Sequence, residues 1–202
     1  MEPRPSVIVL AGPNGAGKST VAPFLLRGFL DVRDFVNADV IAAEQSPSDP
    51  ASVAVAAGRE MLSRLHDLAR QRRSFAFEST LASRSLAGWL ADLIQTGYSL
   101  HILFLWLPTP EAALERVARR VRAGGHGVPE AVVRRRYARG LHNFFRLYQP
   151  LTTTWILFDS SDASDAPGRQ ARAPIAAGNG RTISLIRDQM TWSRIQRDVY
   201  GL

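Results

Sequence analysis

Gly12-Pro13-Asn14-Gly15-Ala16-Gly17-Lys18-Ser19 is the stretch that decides how this chain is read. It matches the pattern G-x-x-x-x-G-K-[ST] at every fixed position. Its glycines let backbone N–H groups turn inward around phosphate oxygens, and a helix opening just beyond them offers its positive end. Lys18 supplies a mobile point charge for the β and γ phosphates, and Ser19 a hydroxyl for Mg2+. With Thr20, these eight residues form a candidate ATP-binding loop. The pattern counts only between a strand and a helix, and both are predicted. Ser6 to Ala11 is a short β-branched run fit for a buried parallel strand, and Thr20 to Phe29 reads as a helix.

Strand-like and helical segments alternate outward from the loop. Short strands are expected at 34–37, 74–79, 100–107 and 155–158, with helices between them. Asp49 reads as an N-cap with Pro50 at the first helical position, opening a helix to about Gln71 with Val53, Leu62, Leu65 and Leu68 in the core. Gly97 ends a helix over 85–96, and Thr109-Pro110-Glu111 starts another that Gly124-Gly125 terminates. A further helix runs from Pro129 to about Tyr148. After Arg172, Gly178-Asn179-Gly180 separates two extended segments like a hairpin at a sheet edge, and a last helix covers about 188–200. Asp159 to Pro174 is of low complexity and reads as a loop. The expected fold class is α/β: a mainly parallel sheet with helices on both faces, an antiparallel edge hairpin and an arginine-rich helical lid at about 116–146. A single domain over 1–202 is expected.

Composition excludes several alternatives. With 202 residues, 46% hydrophobic and 21% charged, the chain can build a core and is neither disordered nor fibrous. It has no cysteine, hence no disulfide scaffold, thiol nucleophile or thiolate zinc site. No apolar run reaches the roughly 18 residues that would span a membrane, and no secretory leader pattern opens the chain. A cytoplasmic protein with no membrane partner is the expectation. The net charge of +7 points to an anionic partner. Of the 25 basic residues Lys18 is the sole lysine, so the arginines reflect a general bias and cannot all be functional. Nine of them fall between Arg116 and Arg146 with one acid, Glu130, and no nucleic-acid-binding motif accompanies them.

Two acids complete a candidate site. Asp39 follows the second strand and Glu78 ends the third, which in a parallel sheet puts both on the carboxyl edge beside the glycine loop. A carboxylate there can take the proton of an attacking hydroxyl. The bland alternatives are a helix N-cap at Asp39 and a solvated strand-end charge at Glu78. The helices carrying Arg116, Arg119, Arg120 and Arg122, and Arg134, Arg135, Arg136 and Arg139, flank a short glycine connector. One arginine from each could close over ATP; the rest read as a solvated face. His126, in that connector, could touch a phosphate but reads first as a loop histidine in solvent. A signature for transporter-type ATPases is lacking, as is the N-K-x-D of guanine-specific GTPases.

GPNGAGKST, FVNAD (35–39), FAFEST (75–80), the 120–144 stretch RVRAGGHGVPEAVVRRRYARGLHNF and the strand ending Phe158-Asp159, in this order, resemble the zeta-toxin-like P-loop kinases, nearer to the chromosomal, GGH-containing branch. The resemblance spans about Ser6 to Ser161. It implies an ATP- and Mg2+-dependent kinase that phosphorylates the sugar 3′-hydroxyl of UDP-N-acetylglucosamine, poisons cell-wall synthesis and is held by a small antitoxin. It implies Asp39 as catalytic base, Glu78, Ser79 and Thr80 as substrate contacts, and Arg120 with one of Arg134, Arg135 and Arg136 as lid arginines. A kinase for another hydroxyl acceptor and a non-catalytic nucleotide-binding switch stay open beside it. Nucleic-acid binding is disfavoured by the clustering of charge at a lid.

Overall fold

The structure, a computed structural model, describes residues 4–29, 32–161 and 173–201. Most of the expected Asp159 to Pro174 loop lies outside the described residues. Seven strands form one sheet in the order β2-β3-β1-β4-β5-β6-β7. They are β1 (Ser6–Ala11), β2 (Asp34–Val36), β3 (Phe75–Ser79), β4 (Ser99–Trp106), β5 (Thr154–Asp159), β6 (Pro174–Asn179) and β7 (Thr182–Ile186). The first five pair in parallel, and β6 and β7 extend the sheet antiparallel, as the hairpin expectation required.

Alternation along each strand builds two cores. Val7, Val9 and Ala11 of β1 face one cluster while Ile8 and Leu10 face the other. Phe75, Phe77, Ile102 and Phe104 join the first cluster, under α2 (Ala38–Gln45), α3 (Ala54–Arg70), α4 (Ser85–Gln95) and α7 (Gln189–Tyr200). Leu103, Leu105 and Leu107 join the second, under α1 (Lys18–Phe29), α5 (Pro110–Arg122) and α6 (Glu130–Asn143). A strand covered on both faces must be apolar at every position, and β1 is buried throughout. α6 passes into a π-helical turn, Phe144–Tyr148, whose Phe144 and Phe145 pack edge-on against Trp155 and Trp192. β7, at the edge, is exposed along its whole length.

Local corrections have local causes. α3 starts at Ala54, not at Pro50, and its N-cap is Val53 with no side-chain hydrogen bond. Asp49 instead closes a turn, its Oδ1 accepting from the Ser52 N–H at 3.3 Å. Leu62 lies on the outer side of α3, 42% exposed, whereas Leu65 is fully buried. Thr109 caps α5 as expected, its hydroxyl accepting from Ala112 N–H at 3.1 Å. Among the described residues no helix is long and apolar enough to cross a membrane.

Candidate active site

The glycine loop leaves β1 and enters α1 in the context its sequence demands. Gly12 has φ +135°, and a Cβ there would collide with the Leu105 carbonyl of β4, so only glycine lets the loop lie this close to the sheet. The loop is tied from behind as well, for the Ser160 hydroxyl, just past β5, donates to the Ala16 carbonyl at 2.7 Å. Lys18 lies at the first turn of α1, and its ammonium donates to the Gly12 and Pro13 carbonyls, each at 2.9 Å. Ser19 and Thr20 are exposed beside it.

The two acids are brought to this loop by the parallel sheet. Asn37, directly after β2, is buried and joins three parts of the site. Its Oδ1 accepts from Asp39 N–H at 2.8 Å and caps α2. Its Nδ2 donates to Glu78 Oε1 at 2.9 Å and reaches Ser19 Oγ at 3.4 Å. The cap of α2 is therefore Asn37, not Asp39. The helix-cap alternative for Asp39 falls, and its half-exposed carboxylate is left facing the lid. Glu78 is not a solvated strand end either. Burial raises its pKa above the ordinary carboxylate value, against the pull of Lys18 and of hydrogen bonds from Ser19 and Asn37.

Loss of solvation likewise pulls the Lys18 ammonium down to about 8, with Glu78 and Asp39 opposing and the Arg120 and Arg136 charges adding to the fall. The sign gives a pH expectation. The free lysine loses its proton as pH rises through about 8, and phosphates arriving beside it favour the charged form again. ATP binding just above that pH should therefore take up a proton, and affinity should fall as pH rises further. Calorimetry in buffers of different ionisation enthalpy measures the uptake. Binding with no proton uptake would show a lysine that stays charged.

α5 and α6 bring the expected arginines to different tasks. Arg120 Nη1 lies 3.9 Å from Asp39 Oδ2, and its Nη2 donates to the His126 carbonyl at 3.1 Å. Arg136 is half-buried, and that burial lowers its pKa while Asp39 opposes the fall. Arg135, Arg136 and Arg139 line an open cleft of about 320 Å³ with Ser79, Thr80, Ala82 and Ser83. None of these three arginines has an acidic partner within 4.0 Å among the described residues. Arg134 points elsewhere, paired with Glu111 at 2.6 Å and Glu130 at 2.8 Å on the outer surface. Arg116 donates to the Ser161 carbonyl at 2.6 Å. His126 is not a free loop side chain, for its Nε2 sits 3.6 Å from Asp39 Oδ1.

The cleft has a rigid floor. Ser79 Oγ accepts from Leu81 N–H at 3.0 Å, and Leu81, fully buried, holds φ +55°, a costly value for a bulky residue. Asn143 Nδ2 donates to the Leu81 carbonyl at 2.9 Å, and the Tyr148 hydroxyl donates to that of Ser83. A Cβ on Gly140 would strike the Thr80 carbonyl, so α6 rests directly on this loop.

The sequence pattern does not single out Asn37, and it places His126 in solvent or against a phosphate, not against Asp39. Asparagine two residues before Asp39, at the end of an apolar strand, was a signal for the first. His126 had none beyond its glycines.

A mainly parallel sheet in this strand order, with a phosphate-binding loop after β1 and acids at neighbouring strand ends, defines a P-loop kinase-like fold. Residues 7–146 match the family described as AAA domain, and the chain belongs to that family. It is similar, at 31% identity over 130 residues, to an uncharacterized protein of Haemophilus influenzae, across 64% of this chain and 91% of that protein. Among solved structures it is similar to a chain of the AvrRxo1-ORF1:AvrRxo1-ORF2 complex crystallised with ATP, with TM-score 0.69 and 17% identity. That match covers 96% of this chain but spans only 64% of the other. A chain of the PezAT chromosomal toxin–antitoxin system of Streptococcus pneumoniae is similar with TM-score 0.62 and 14% identity, across 98% of this chain and 80% of that one. The expected likeness to zeta-toxin-like P-loop kinases holds at the level of fold.

Proposed function

We propose that this protein is a kinase that transfers the γ-phosphoryl of ATP to a hydroxyl of a small acceptor, with UDP-N-acetylglucosamine as the acceptor that the sequence resemblance implies. The observation that carries the reading is the meeting of Lys18, Asp39, Glu78 and Arg120 at one sheet edge, next to a cleft lined by Arg135, Arg136 and Arg139. A regulatory switch has no need of a carboxylate beside its γ phosphate. Residues 12–20 hold the nucleotide, Lys18 and the lid arginines Arg120, Arg135 and Arg136 balance charge on the transferred group, and Ser79, Thr80 and Glu78 contact the acceptor.

Asp39 acts as general base. The acceptor oxygen attacks the γ phosphorus, its proton passes to Asp39, and the bond to the bridging oxygen breaks so that ADP leaves with the electron pair. The donor set also fits Mg2+ held jointly with ATP. Ser19 is exposed beside the Glu78 carboxylate, while no described cluster of three His, Asp or Glu could hold a metal alone. When bound, the ion would neutralise charge on the β and γ phosphates. Glu78 keeps the Ser19 hydroxyl in place through its hydrogen bond. The rest of the reading is a single catalytic domain with its lid at about 116–146, working in the cytoplasm. A small antitoxin as partner is supported by the toxin–antitoxin origin of PezAT.

The test is phosphate transfer from labelled ATP to a panel of UDP-sugars, nucleosides and sugar acids. Labelled UDP-N-acetylglucosamine is expected. Transfer to another member would keep the kinase and replace the acceptor; no ATP cleavage with any of them would discard the kinase reading.

A further inference from the structure

The glycine connector of the lid delivers a histidine to the carboxylate read above as the general base. α5 ends in a tight turn in which Gly124 N–H donates to the Val121 carbonyl at 3.0 Å and Gly125 N–H to that of Arg120 at 2.9 Å. A Cβ on Gly125 would stand 2.7 Å from Arg120 Cγ, so the chain can double back over the Arg120 side chain only as glycine. The next residue, His126, then projects its Nε2 to 3.6 Å from Asp39 Oδ1, with its side chain only 27% exposed. Arg120 faces the other oxygen, Oδ2, at 3.9 Å, and donates to the His126 carbonyl at 3.1 Å. The two lid residues thus divide one carboxylate between them and brace each other.

Their holds on it are unequal. The Arg120 ion pair is long, and its Nε is buried without a partner. A guanidinium so incompletely paired gains from moving to phosphate oxygens, which accept charge-assisted hydrogen bonds in a matching geometry. His126 has no such fork of donors to offer phosphate, and its side chain rests against Asp39 Oδ1.

We propose that His126 is a positioning residue for phosphoryl transfer, holding Oδ1 of Asp39 so that Oδ2 is presented to the acceptor hydroxyl once Arg120 has turned to the phosphates. The inference rests on the kinase reading and on Asp39 as its base. In the step itself the acceptor O–H bond breaks as the new O–P bond forms. The proton goes to Asp39 Oδ2 and the electron pair of the old P–O bond leaves with ADP. His126 neither gives nor takes that proton. The imidazole beside Oδ1 blocks the carboxylate from swinging toward Lys18 and Arg136, with whose charges it interacts. Misplacing a reacting group by about 1 Å can lower a rate by about 10²-fold.

The experiment is single-turnover transfer from labelled Mg·ATP to UDP-N-acetylglucosamine, and to water without it, using the full chain. His126→Ala should slow transfer roughly 10- to 100-fold while leaving the KM for ATP unchanged. His126→Gln keeps a planar polar group of similar reach and should recover most of the rate. Gly125→Ala keeps the imidazole but displaces the connector, and should reproduce the loss. In an Asp39→Asn background His126→Ala should cost nothing further, because its partner is already gone. A His126→Ala variant that runs at the wild-type rate would overturn the inference while the kinase reading stands. So would one that slows Asp39→Asn by the same factor, or that only raises the KM for ATP. A wild type that cleaves ATP toward neither acceptor overturns the kinase reading and this inference with it.

Discussion

Lys18→Ala is expected to lose ATP turnover by at least about 10²–10³-fold and to melt no lower than the wild type. The loss follows from position, since Lys18 is the one cation rooted in the loop that cradles the phosphates. The unchanged stability follows from energetics. Among the described residues the lysine belongs to no core cluster, and its ammonium bonds only to the carbonyls of Gly12 and Pro13. Its folded pKa, about 8, lies below the ordinary lysine value of 10.5. Between those two values the unfolded chain binds more protons, so stability rises with pH there. Below about 8 the folded chain carries the charged lysine at a penalty, which alanine removes. Thermal melts at pH 7 beside an ATP-cleavage assay check both halves. Turnover near the wild-type rate would detach this loop from catalysis, and a large drop in Tm would make Lys18 structural.

Asp39→Asn should reduce transfer to the acceptor by roughly 10²–10⁴-fold, the usual contribution of a positioned general base. It should leave ATP affinity equal or slightly tighter, because a negative charge leaves the phosphate site. Stability should hold, since α2 is capped by Asn37 and the half-exposed Asp39 side chain has Arg120 and His126 as its ion-pair partners among the described residues. Single-turnover transfer with nucleotide binding by calorimetry separates these effects. Wild-type transfer by this variant would refute the base assignment.

The sheet and the phosphate loop could be read from the sequence because their signals are local. β1 is apolar at each interior position, and Gly12 to Ser19 carries its own chemistry in its order. The start of α3 could not. Asp49-Pro50 has the composition of a helix start, yet Asp49 is satisfied by Ser52 and the helix waits until Ala54. Nor could the lid arginines be sorted by spacing. Arg134 and Arg136 differ only by a helical rotation; Arg134 meets Glu130 one turn back, which spacing allows, and Glu111 of the preceding helix, which only the fold supplies. His126 shows the same limit, as its partner lies far back in the chain and only the folded connector brings the two together.

The contact of α6 with the loop after β3 bears on how this protein could be re-engineered. Leu81 keeps its unfavourable backbone because Asn143 and Ser79 hold it, and Gly140 leaves α6 no space in which to slide. The shape of the 79–83 loop is thus written largely in a helix sixty residues away. A chimaera that imports this loop from another kinase to change acceptor choice would inherit its letters without its conformation. The transplantable cassette is the loop together with residues 135–148, moved as a matched pair.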